Sequence, residues 1–431
     1  MNTISAKKNP CIIRKQNLGQ GKKIVRNFVF KKISFLKFFI GFSLVSSLII
    51  VILYNLFESG HFYIIKDVMA VIMLMLACLF NLKKSNMNIF GYFSFIGVIV
   101  SIGLFSSNAS LFLIISSLRQ FVVPFLFIII GYLFVRNEDD YYSLLKFTII
   151  FMSFIVLFGC FERFFKVWLF FDVSVFYKVK NIPVFSYGYP VFWIEPVSVL
   201  GYSTFENGIP RMVSSVLDPV NLGHLLVFTF AIIYFEGRRF FRKLHWFLLL
   251  VLMALGIFLT LSKGAWLQFG LALFIFNNRI NFFWKAISSL LLLTLVLIYV
   301  LGHAGFLAHY FGFINVFAHI NLLGHGLGSF GNYSFMYSDN PVEGVGDSYW
   351  AAVVGQFGVI GFVIWLGTFL FVAKNIGNHH LCWLLISQIL ISALSENSFN
   401  FMSVFLLLIF VGAFLKIRIN GKMTNKRKGY I

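Results

Sequence analysis

Charged residues are scarce in this chain of 431 residues: only 12% are Asp, Glu, Lys or Arg, whereas 59% are hydrophobic. A water-soluble domain carries roughly 25% charged residues, because its surface must be hydrated. The mean hydropathy of +0.88 points in the same direction. These values exclude a soluble domain, a disordered chain and a collagen-like fibre, and they predict a protein whose solvent is lipid.

Cysteine and acidic residues are also few. The four cysteines, Cys11, Cys78, Cys160 and Cys382, form no CxxC pair, and at least three lie in the N-terminal tail or in apolar runs. The sequence therefore indicates neither a disulfide framework nor a cysteine zinc site. The 15 acidic residues stand against 35 basic ones, for a net charge of +20. Such a charge can indicate nucleic-acid binding, but the basic residues lie where a membrane protein keeps its cytoplasmic charge, so we expect no nucleic-acid partner.

Long apolar runs fill most of the chain. A helix needs about 20 apolar residues to cross the hydrocarbon of a bilayer. Twelve runs approach this length: 38–57, 65–82, 89–107, 111–135, 145–161, 213–235, 245–261, 264–276, 286–302, 349–373, 381–394 and 399–415. The predicted fold class is all-α, a polytopic integral membrane protein with about twelve transmembrane helices. The first run lacks a small-residue cleavage site, so it is expected to be a retained anchor.

The distribution of Lys and Arg predicts the orientation. With both termini in the cytoplasm, 27 of the 35 basic residues fall on the cytoplasmic side, as the positive-inside rule requires. We expect basic cytoplasmic tails at 1–37 and 416–431 around a membrane domain at 38–415. Two far-side loops, at about 162–211 and 303–347, are long enough to be functional and are expected to be folded. Within the first loop, Glu162–Phe171 is predicted to be an amphipathic interfacial helix.

Two cations lie at or near the outer ends of runs. An arginine in hydrocarbon costs at least about 2.5 kcal/mol, so it normally faces a cavity or a partner. Arg119 lies inside the outer end of the fourth run; either it snorkels to the interface or it faces a ligand. Lys263 follows Ser262 in the turn TLSKGA at 260–265. It is either an anion-binding cation or an ordinary turn lysine.

The first long loop ends at Arg211, shortly before DPVNLGH at 218–224. Asp218 followed by Pro219 is typical of a helix N-terminus, with Asp218 as the cap. Capping does not explain Arg211, nor the polar pair Asn221 and His224 further along the helix. These residues are therefore candidates for function.

The second long loop is rich in histidine and glycine. It contains His303, His309, His319 and His325, but their spacing matches no compact zinc pattern, so no metal is expected. The segment GHGLGSFG at 324–331 is a weak phosphate-loop signal, because it lacks the strand and the lysine of a nucleotide loop. Its glycines allow the backbone to approach a ligand closely.

The following residues begin the tenth run. Asp347 is either the N-cap of that helix or a base held above a cavity. Gly355, Gly358 and Gly361 are expected to line a close helix contact. Glu396 is most simply part of a turn.

Together these segments resemble the bacterial O-antigen polymerase and ligase superfamily. The resemblance rests on the span count, the two long loops and the order of the motifs: Arg211 with DPVNLG, then TLSKGA, GHGLGSFG and DSYWAAVVGQFGVIG, covering roughly 211–365. Family members often have Ser-Arg where this chain has Ser262-Lys263. Ligases typically place a histidine where this chain has Asp347, so the polymerase branch is favoured.

The resemblance implies a membrane glycosyltransferase of the bacterial inner membrane. It would transfer a growing glycan from its undecaprenyl diphosphate carrier to a second carrier-linked repeat unit at the outer face, without metal or other cofactor. Arg211 and Lys263 would hold the diphosphate, with Arg119 or Arg163 behind them. Asp347 or His325 would accept the proton. Asp218, Asn221 and Ser262 are candidate substrate contacts, and membrane lipids and a chain-length regulator are candidate partners.

Other functions remain open from the sequence. An O-antigen ligase would transfer the glycan to lipid A-core instead. A secondary transporter or polysaccharide flippase also has about twelve spans, but transporters tend to place their polar residues at the bilayer midplane. A structural membrane scaffold is the simplest alternative.

Overall fold

The computed structural model describes most of the predicted membrane domain. The described residues are 10–57, 65–79, 97–98, 100–104, 107, 109–165, 173–178, 184–187, 198–201, 205–206, 209–275, 314–331, 334, 348–377 and 379–428. Within them, the side chains of 10–31, 165, 184–187, 198–201, 205–206, 275, 396–397 and 420–428 are not described. The predicted run 286–302 and most of 89–107 lie outside the described residues.

Helices dominate the fold. In chain order they are α1 Pro10–Phe57, α2 Ile65–Leu79, α3 Leu111–Phe134, α4 Glu138–Phe165, α5 Ser174–Lys178, α6 Pro219–Glu236, α7 Lys243–Leu259, α8 Lys263–Ile275, α9 Tyr349–Ile376, α10 His380–Ser392 and α11 Phe401–Lys428.

Six helical segments in the described part of the chain are long and apolar enough to cross a membrane: Lys32–Phe57, Leu111–Phe134, Glu138–Phe164, Pro219–Arg239, Tyr349–Ile376 and Phe401–Ile419. They coincide with predicted runs one, four, five, six, ten and twelve. Two shorter apolar helices, Lys243–Leu259 and His380–Ser392, fall on runs seven and eleven. These helices support the prediction of a helical membrane protein, and the expected total of about twelve spans stays a prediction.

Helices form nearly all of the described regular structure, as the all-α prediction expects, and the described part of the first long loop adds four short strands that were not predicted. β1 Val184–Tyr187 pairs antiparallel with β2 Ser198–Gly201, and β3 Phe205–Glu206 pairs antiparallel with β4 Ile209–Pro210. Two-stranded pairs of this kind need packing support to be stable. Strand β4 of the second pair ends at Pro210, directly before Arg211. This pair therefore helps to position Arg211 next to the helices.

Helices α1 and α4 extend beyond the predicted limits of their apolar runs. Helix α4 extends through Glu162 to Phe165, so the start of the predicted interfacial helix belongs to a span, and 166–171 lie outside the described residues. Three acidic residues in its first turn suit the positive end of the helix dipole. Helix α1 begins at Pro10, within the predicted tail.

The centre of the bundle is the contact between α3 and α11. A Cβ atom at Gly131 would overlap the carbonyl oxygen of Ile409, and one at Gly412 would overlap that of Ile128. Small residues permit this close approach of two helix backbones in a membrane. Both helices are accordingly among the most buried of the long apolar helices, with 72% of the most apolar stretch of each buried.

Candidate functional site

Arg211 lies against the turn that joins α7 to α8. It is only 9% exposed, and its Nε atom donates a hydrogen bond of 2.9 Å to the carbonyl oxygen of Thr260. The backbone N–H of Met212 bonds to the carbonyl oxygen of Leu259, also at 2.9 Å. Lys263 begins α8 three residues after Thr260 and is exposed. The structure therefore brings Arg211 to the same turn as Lys263, as the sequence prediction requires.

The turn itself is built by local polar contacts. Leu261 has a positive φ of 48°, a conformation that side chains other than glycine seldom adopt. The Ser262 hydroxyl accepts a hydrogen bond of 3.4 Å from the N–H of Ala265, and Ser262 is 1% exposed. Ser262 is thus positioned as a helix-capping residue of α8, which is a structural role beside the predicted substrate contact.

The start of α6 packs against this turn. Asp218 caps α6 by accepting hydrogen bonds from the N–H groups of Val220 at 2.9 Å and Asn221 at 3.1 Å, so the capping role is confirmed. A Cβ atom at Gly223 would lie 2.6 Å from the Cβ of Ala265 and 3.2 Å from that of Ser262. The Asn221 side chain accepts a 2.6 Å hydrogen bond from the Ser403 hydroxyl of α11.

A chain of buried hydrogen bonds crosses from α6 to α10. His224 Nδ1 lies 2.6 Å from Gln268 Oε1, Gln268 Nε2 donates to Gln388 Oε1 at 2.6 Å, and Gln388 Nε2 donates to the carbonyl oxygen of Ser398. A carbonyl oxygen can only accept, so Ser398 fixes the direction of every bond in the chain. His224 consequently carries its proton on Nδ1.

The other ring nitrogen of His224 is an acceptor with no hydrogen-bond partner among the described residues. Nε2 is buried and has no hydrogen bond within the part of the chain that the structure describes. It faces Gly264, where an added Cβ atom would lie 3.6 Å from it. A buried polar atom of this kind normally has a partner. His224 therefore presents a lone pair directly beside the turn that carries Lys263.

The short helix α5 anchors the first long loop near Asp218. The Tyr177 hydroxyl donates a 3.0 Å hydrogen bond to the carbonyl oxygen of Leu217. Burial raises the pKa of Tyr177 well above its usual value, and the nearby charges of Asp218 and Glu162 raise it further. The phenol is thus neutral and serves as a hydrogen-bond donor.

Arg119 is held by an acidic partner. Its Nε atom lies 3.0 Å from a carboxylate oxygen of Asp67 on α2, and both side chains are about one-fifth exposed. This ion pair is a third role for Arg119, beside the two that the sequence suggested, which were snorkelling to the interface and facing a ligand. The carbonyl oxygen of the adjacent Gln120 accepts a 3.2 Å hydrogen bond from the Tyr349 hydroxyl, which joins α3 to the start of α9.

The start of α9 is joined to the end of α10, where Ile391 lies 3.9 Å from the position of an added Cβ atom at Gly264, next to Lys263. The Ser348 hydroxyl accepts from the N–H of Ala351 at 3.2 Å and donates to the carbonyl oxygen of Ala393 at 2.7 Å. Ser348 is therefore the N-cap of α9, so the N-cap role suggested for Asp347 is wrong. Asp347 itself lies outside the described residues. We call this end of the bundle, formed by Arg211, the 259–263 turn and the starts of α6 and α9, the Arg211 end.

Arg163 lies in the last turn of α4. One turn earlier, a Cβ atom at Gly159 would lie 2.9 Å from Met212 Cγ and 3.0 Å from Ser214 Cβ. The Ser214 hydroxyl donates a 2.7 Å hydrogen bond to the carbonyl oxygen of Ile155. The segment after Arg211 is therefore packed on the end of α4 that carries Arg163.

The glycine-rich segment 324–331 has a structural role that the sequence did not reveal. Helix α9 is broken at Gly358, which has φ 68° and ψ −173°. The segment lies in this break: the N–H of His325 bonds to the carbonyl oxygen of Gly355 at 2.8 Å, and that of Gly326 bonds to Gln356 at 3.1 Å. Gly324 has a φ of 78°. These glycines approach the backbone of α9, and their approach to a ligand stays a prediction.

His325 is exposed above this contact. Its Nε2 lies 2.8 Å from the carbonyl oxygen of His319, and a carbonyl oxygen accepts, so Nε2 donates and carries the proton. Only Nδ1 remains to act as a base. His303 and His309 lie outside the described residues, as does the side chain of Glu396, although 396–399 do form the expected turn, as a 3₁₀ helix.

The sequence matches no protein-family model and no curated protein. The resemblance to the O-antigen polymerase and ligase superfamily therefore rests on the motifs alone.

One candidate was underrated by sequence reasoning. His224 was noted only as part of a polar pair, because nothing local reveals its hydrogen-bonding chain. Gln268 lies 44 residues after His224 in the sequence, and Gln388 lies 120 residues after Gln268. The available signal was a polar residue in the apolar run of each of three helices, since polar groups in a membrane are costly and often functional.

Proposed function

We propose that the protein is a membrane glycosyltransferase that joins carrier-linked oligosaccharide repeat units, and that the Arg211 end is its reaction site. The donor is a glycan on a polyprenyl diphosphate carrier, and the acceptor is a sugar hydroxyl of a second carrier-linked unit. The single observation that carries the proposal is the contact of buried Arg211 with the turn that bears Lys263. It concentrates two cations from distant parts of the chain at one end of a lipid-embedded bundle.

These cations suit a lipid diphosphate. The bond from Arg211 Nε to Thr260 orients the guanidinium, and a planar guanidinium binds phosphate oxygens in pairs. Lys263 is exposed and brings a compact charge. Hydrogen bonds to charged groups contribute about 1.5–3 kcal/mol each. Two such contacts that strengthen as the leaving group gains charge would lower the barrier by several kcal/mol.

The reaction exchanges one bond for another. The acceptor hydroxyl oxygen attacks the anomeric carbon of the donor glycan, and the bond from that carbon to the diphosphate oxygen breaks. The electron pair leaves with the lipid diphosphate, where Arg211 and Lys263 stabilise it. The hydroxyl proton passes to a base, a role typically worth about 10²–10⁴-fold in rate.

Asp347 and His325 are the proposed bases. Asp347 directly precedes the capped start of α9, whose hydrogen bond to Ala393 ties it to the Arg211 end. His325 offers only Nδ1 and is bound to the broken part of α9. The use of Nε2 by the His319 carbonyl oxygen leaves His325 one ring nitrogen, and the family resemblance favours Asp347 as the base. His224, with its Nε2 lone pair beside Gly264, is proposed to position the acceptor hydroxyl.

The membrane side is also part of the proposal. The excess of Lys and Arg at the opposite end of the predicted spans supports a plasma membrane orientation with both termini in the cytoplasm. The Arg211 end then faces outward, where carrier-linked glycans are assembled. Undecaprenyl diphosphate is the carrier that the family resemblance implies.

A transporter is the alternative with a structural observation in its favour, because α9 is broken at Gly358. Broken helices in transporters use their freed backbone groups to bind substrate. Here the segment 321–326 binds the backbone around the break, including N–H groups of Val359 and Ile360. The break is thus used for packing, which favours the enzyme.

The surface glycan of a strain without the protein tests the function. A polymerase predicts that long chains vanish and single repeat units stay attached to lipid A. Loss of single units as well would indicate a ligase, and an unchanged ladder of chain lengths would contradict both.

A further inference from the structure

A second cluster lies away from the Arg211 end, where α6 ends and α10 begins. Glu236 is the last residue of α6, His379 is the N-cap of α10, and His380 is its first residue. One ligand atom from each of the three residues lies within 4.8 Å of the others. The sequence separates Glu236 from the two histidines by more than 140 residues, so only the fold brings them together.

The donor set suits a borderline transition metal. Two imidazoles and one carboxylate are ligands that zinc, nickel and copper prefer in proteins. Two ligand atoms of a tetrahedral zinc ion, each about 2 Å from the metal, are about 3.3 Å apart. A relative movement of the ligand atoms by about 1.5 Å would therefore complete the site, and rotation of the side chains at the ends of helices can supply it.

His380 supplies an independent observation. The side chain is only 7% exposed, and its buried Nε2 has no hydrogen-bond partner among the residues that the structure describes. A buried polar atom normally has a partner. A metal ion would satisfy the lone pair of this nitrogen.

Aromatic rings hold both imidazoles. Phe235 stacks on His380 with ring centroids 4.6 Å apart and an angle of 8°, and Phe414 of α11 stacks on His379 at 3.8 Å and 25°. Both rings are therefore already ordered before an ion binds. The cap bond from the Leu381 N–H to His379 Nδ1 is long, at 3.4 Å, so little is lost if the ring turns toward a metal.

Two arginines oppose cation binding. Arg239 lies 3.4 Å from a carboxylate oxygen of Glu236, but its side chain is 58% exposed and can turn into solvent. The guanidinium of Arg418 packs over Gly377, close to His379. Removing either charge should therefore strengthen binding, which is a prediction that a mere packing cluster does not make.

We propose that Glu236, His379 and His380 bind one divalent transition-metal ion, with zinc as the reference ion. The ion would join the end of α6 to the start of α10. Since α6 carries Asp218 and His224 at its other end, the ion would also steady the helix that forms the Arg211 end. The site is independent of the glycosyltransferase proposal.

Zinc binding by the full-length protein in detergent tests the site. After EDTA treatment and removal of the chelator, competition with a fluorescent zinc indicator should give one equivalent bound. Glu236→Gln and His380→Ala should each weaken binding by more than about tenfold, because even outer-shell changes cost about 10–100-fold. The matched control is His245→Ala, which removes an exposed histidine from α7.

Two further measurements keep the outcome clear. Arg239→Gln should tighten zinc binding and should raise the thermal midpoint of the zinc-loaded protein. Each variant is first checked for a single peak by size-exclusion chromatography. Should His380→Ala fail to fold, the zinc affinity of Glu236→Gln, which preserves the shape of the side chain, decides the outcome. Less than one equivalent in the unmodified protein, or unchanged binding in Glu236→Gln, would overturn the proposal.

Discussion

The Nε atom of Arg211 donates a 2.9 Å hydrogen bond to the carbonyl oxygen of Thr260, three residues before Lys263. This bond joins the end of the first long loop to the tight turn between α7 and α8. It brings together cations that are 52 positions apart in the sequence. Because this bond is also structural, the effect of substituting Arg211 on activity is measured at unchanged protein level.

Arg211→Ala should abolish long-chain glycan while the protein level stays unchanged. The substitution removes a guanidinium that is proposed to hold the diphosphate, at a cost of about 1.5–3 kcal/mol for each charged hydrogen bond lost. Gel analysis of surface glycan from a complemented deletion strain measures the effect. Arg242→Ala is the matched control. Arg242 is exposed at the N-cap of α7, and Thr260, the partner of Arg211, lies at the opposite end of that helix. A normal ladder in Arg211→Ala would remove Arg211 from the site.

Asp347→Asn should lose far more activity than His325→Ala. The amide cannot accept the hydroxyl proton, so the expected loss is about 10²–10⁴-fold. His325 already uses Nε2 to bond the carbonyl oxygen of His319. The rate of chain extension in membrane fractions distinguishes the two variants, and the reverse order would assign the base role to His325.

His224→Phe should lower activity by about tenfold or more, the effect of one lost hydrogen bond to the reacting group. Phenylalanine keeps the bulk of the ring but removes the Nε2 lone pair beside Gly264. The control is Thr229→Val on the same helix, because the Thr229 hydroxyl is buried and bonds only locally, to the carbonyl oxygen of Leu225 at 2.8 Å. Equal activity of the two variants would show that the hydrogen-bonding chain serves stability alone.

Gly358→Ala should destabilise the protein. Its backbone conformation costs a non-glycine residue about 1–3 kcal/mol, and the new Cβ atom would overlap the carbonyl oxygen of Leu322. Thermal unfolding in detergent should show a lower midpoint. On the same helix, Gly367→Ala meets no atom within 4 Å and should be neutral or slightly stabilising. A Gly358→Ala midpoint equal to that of Gly367→Ala would contradict the docking of the 321–328 segment at the break.

The features that the sequence predicted well depend on local chemistry. Apolar length located the six described spans, and the Asp218-Pro219 pair located the start of α6. The link between Arg211 and Lys263 followed from placing both at one membrane face. Each of these inferences needs only the order of residues along the chain.

The features that it missed depend on contacts between distant segments. The break at Gly358 is filled by a segment more than 30 residues earlier, so neither motif alone shows why its glycines are there. The ion pair of Arg119 with Asp67 and the path from His224 to Ser398 each cross between helices. The strands β1 and β2 were not predicted, because their pairing joins two separate segments of the first long loop.

Binding of polyprenyl diphosphate to the purified protein tests the central claim most directly. We predict that the unmodified protein binds the lipid diphosphate, that polyprenol without phosphate binds at least about tenfold more weakly, and that Arg211→Ala combined with Lys263→Ala abolishes the difference. Equal affinity for the two lipids in the unmodified protein, or an unchanged preference for the diphosphate in the double variant, would contradict the account.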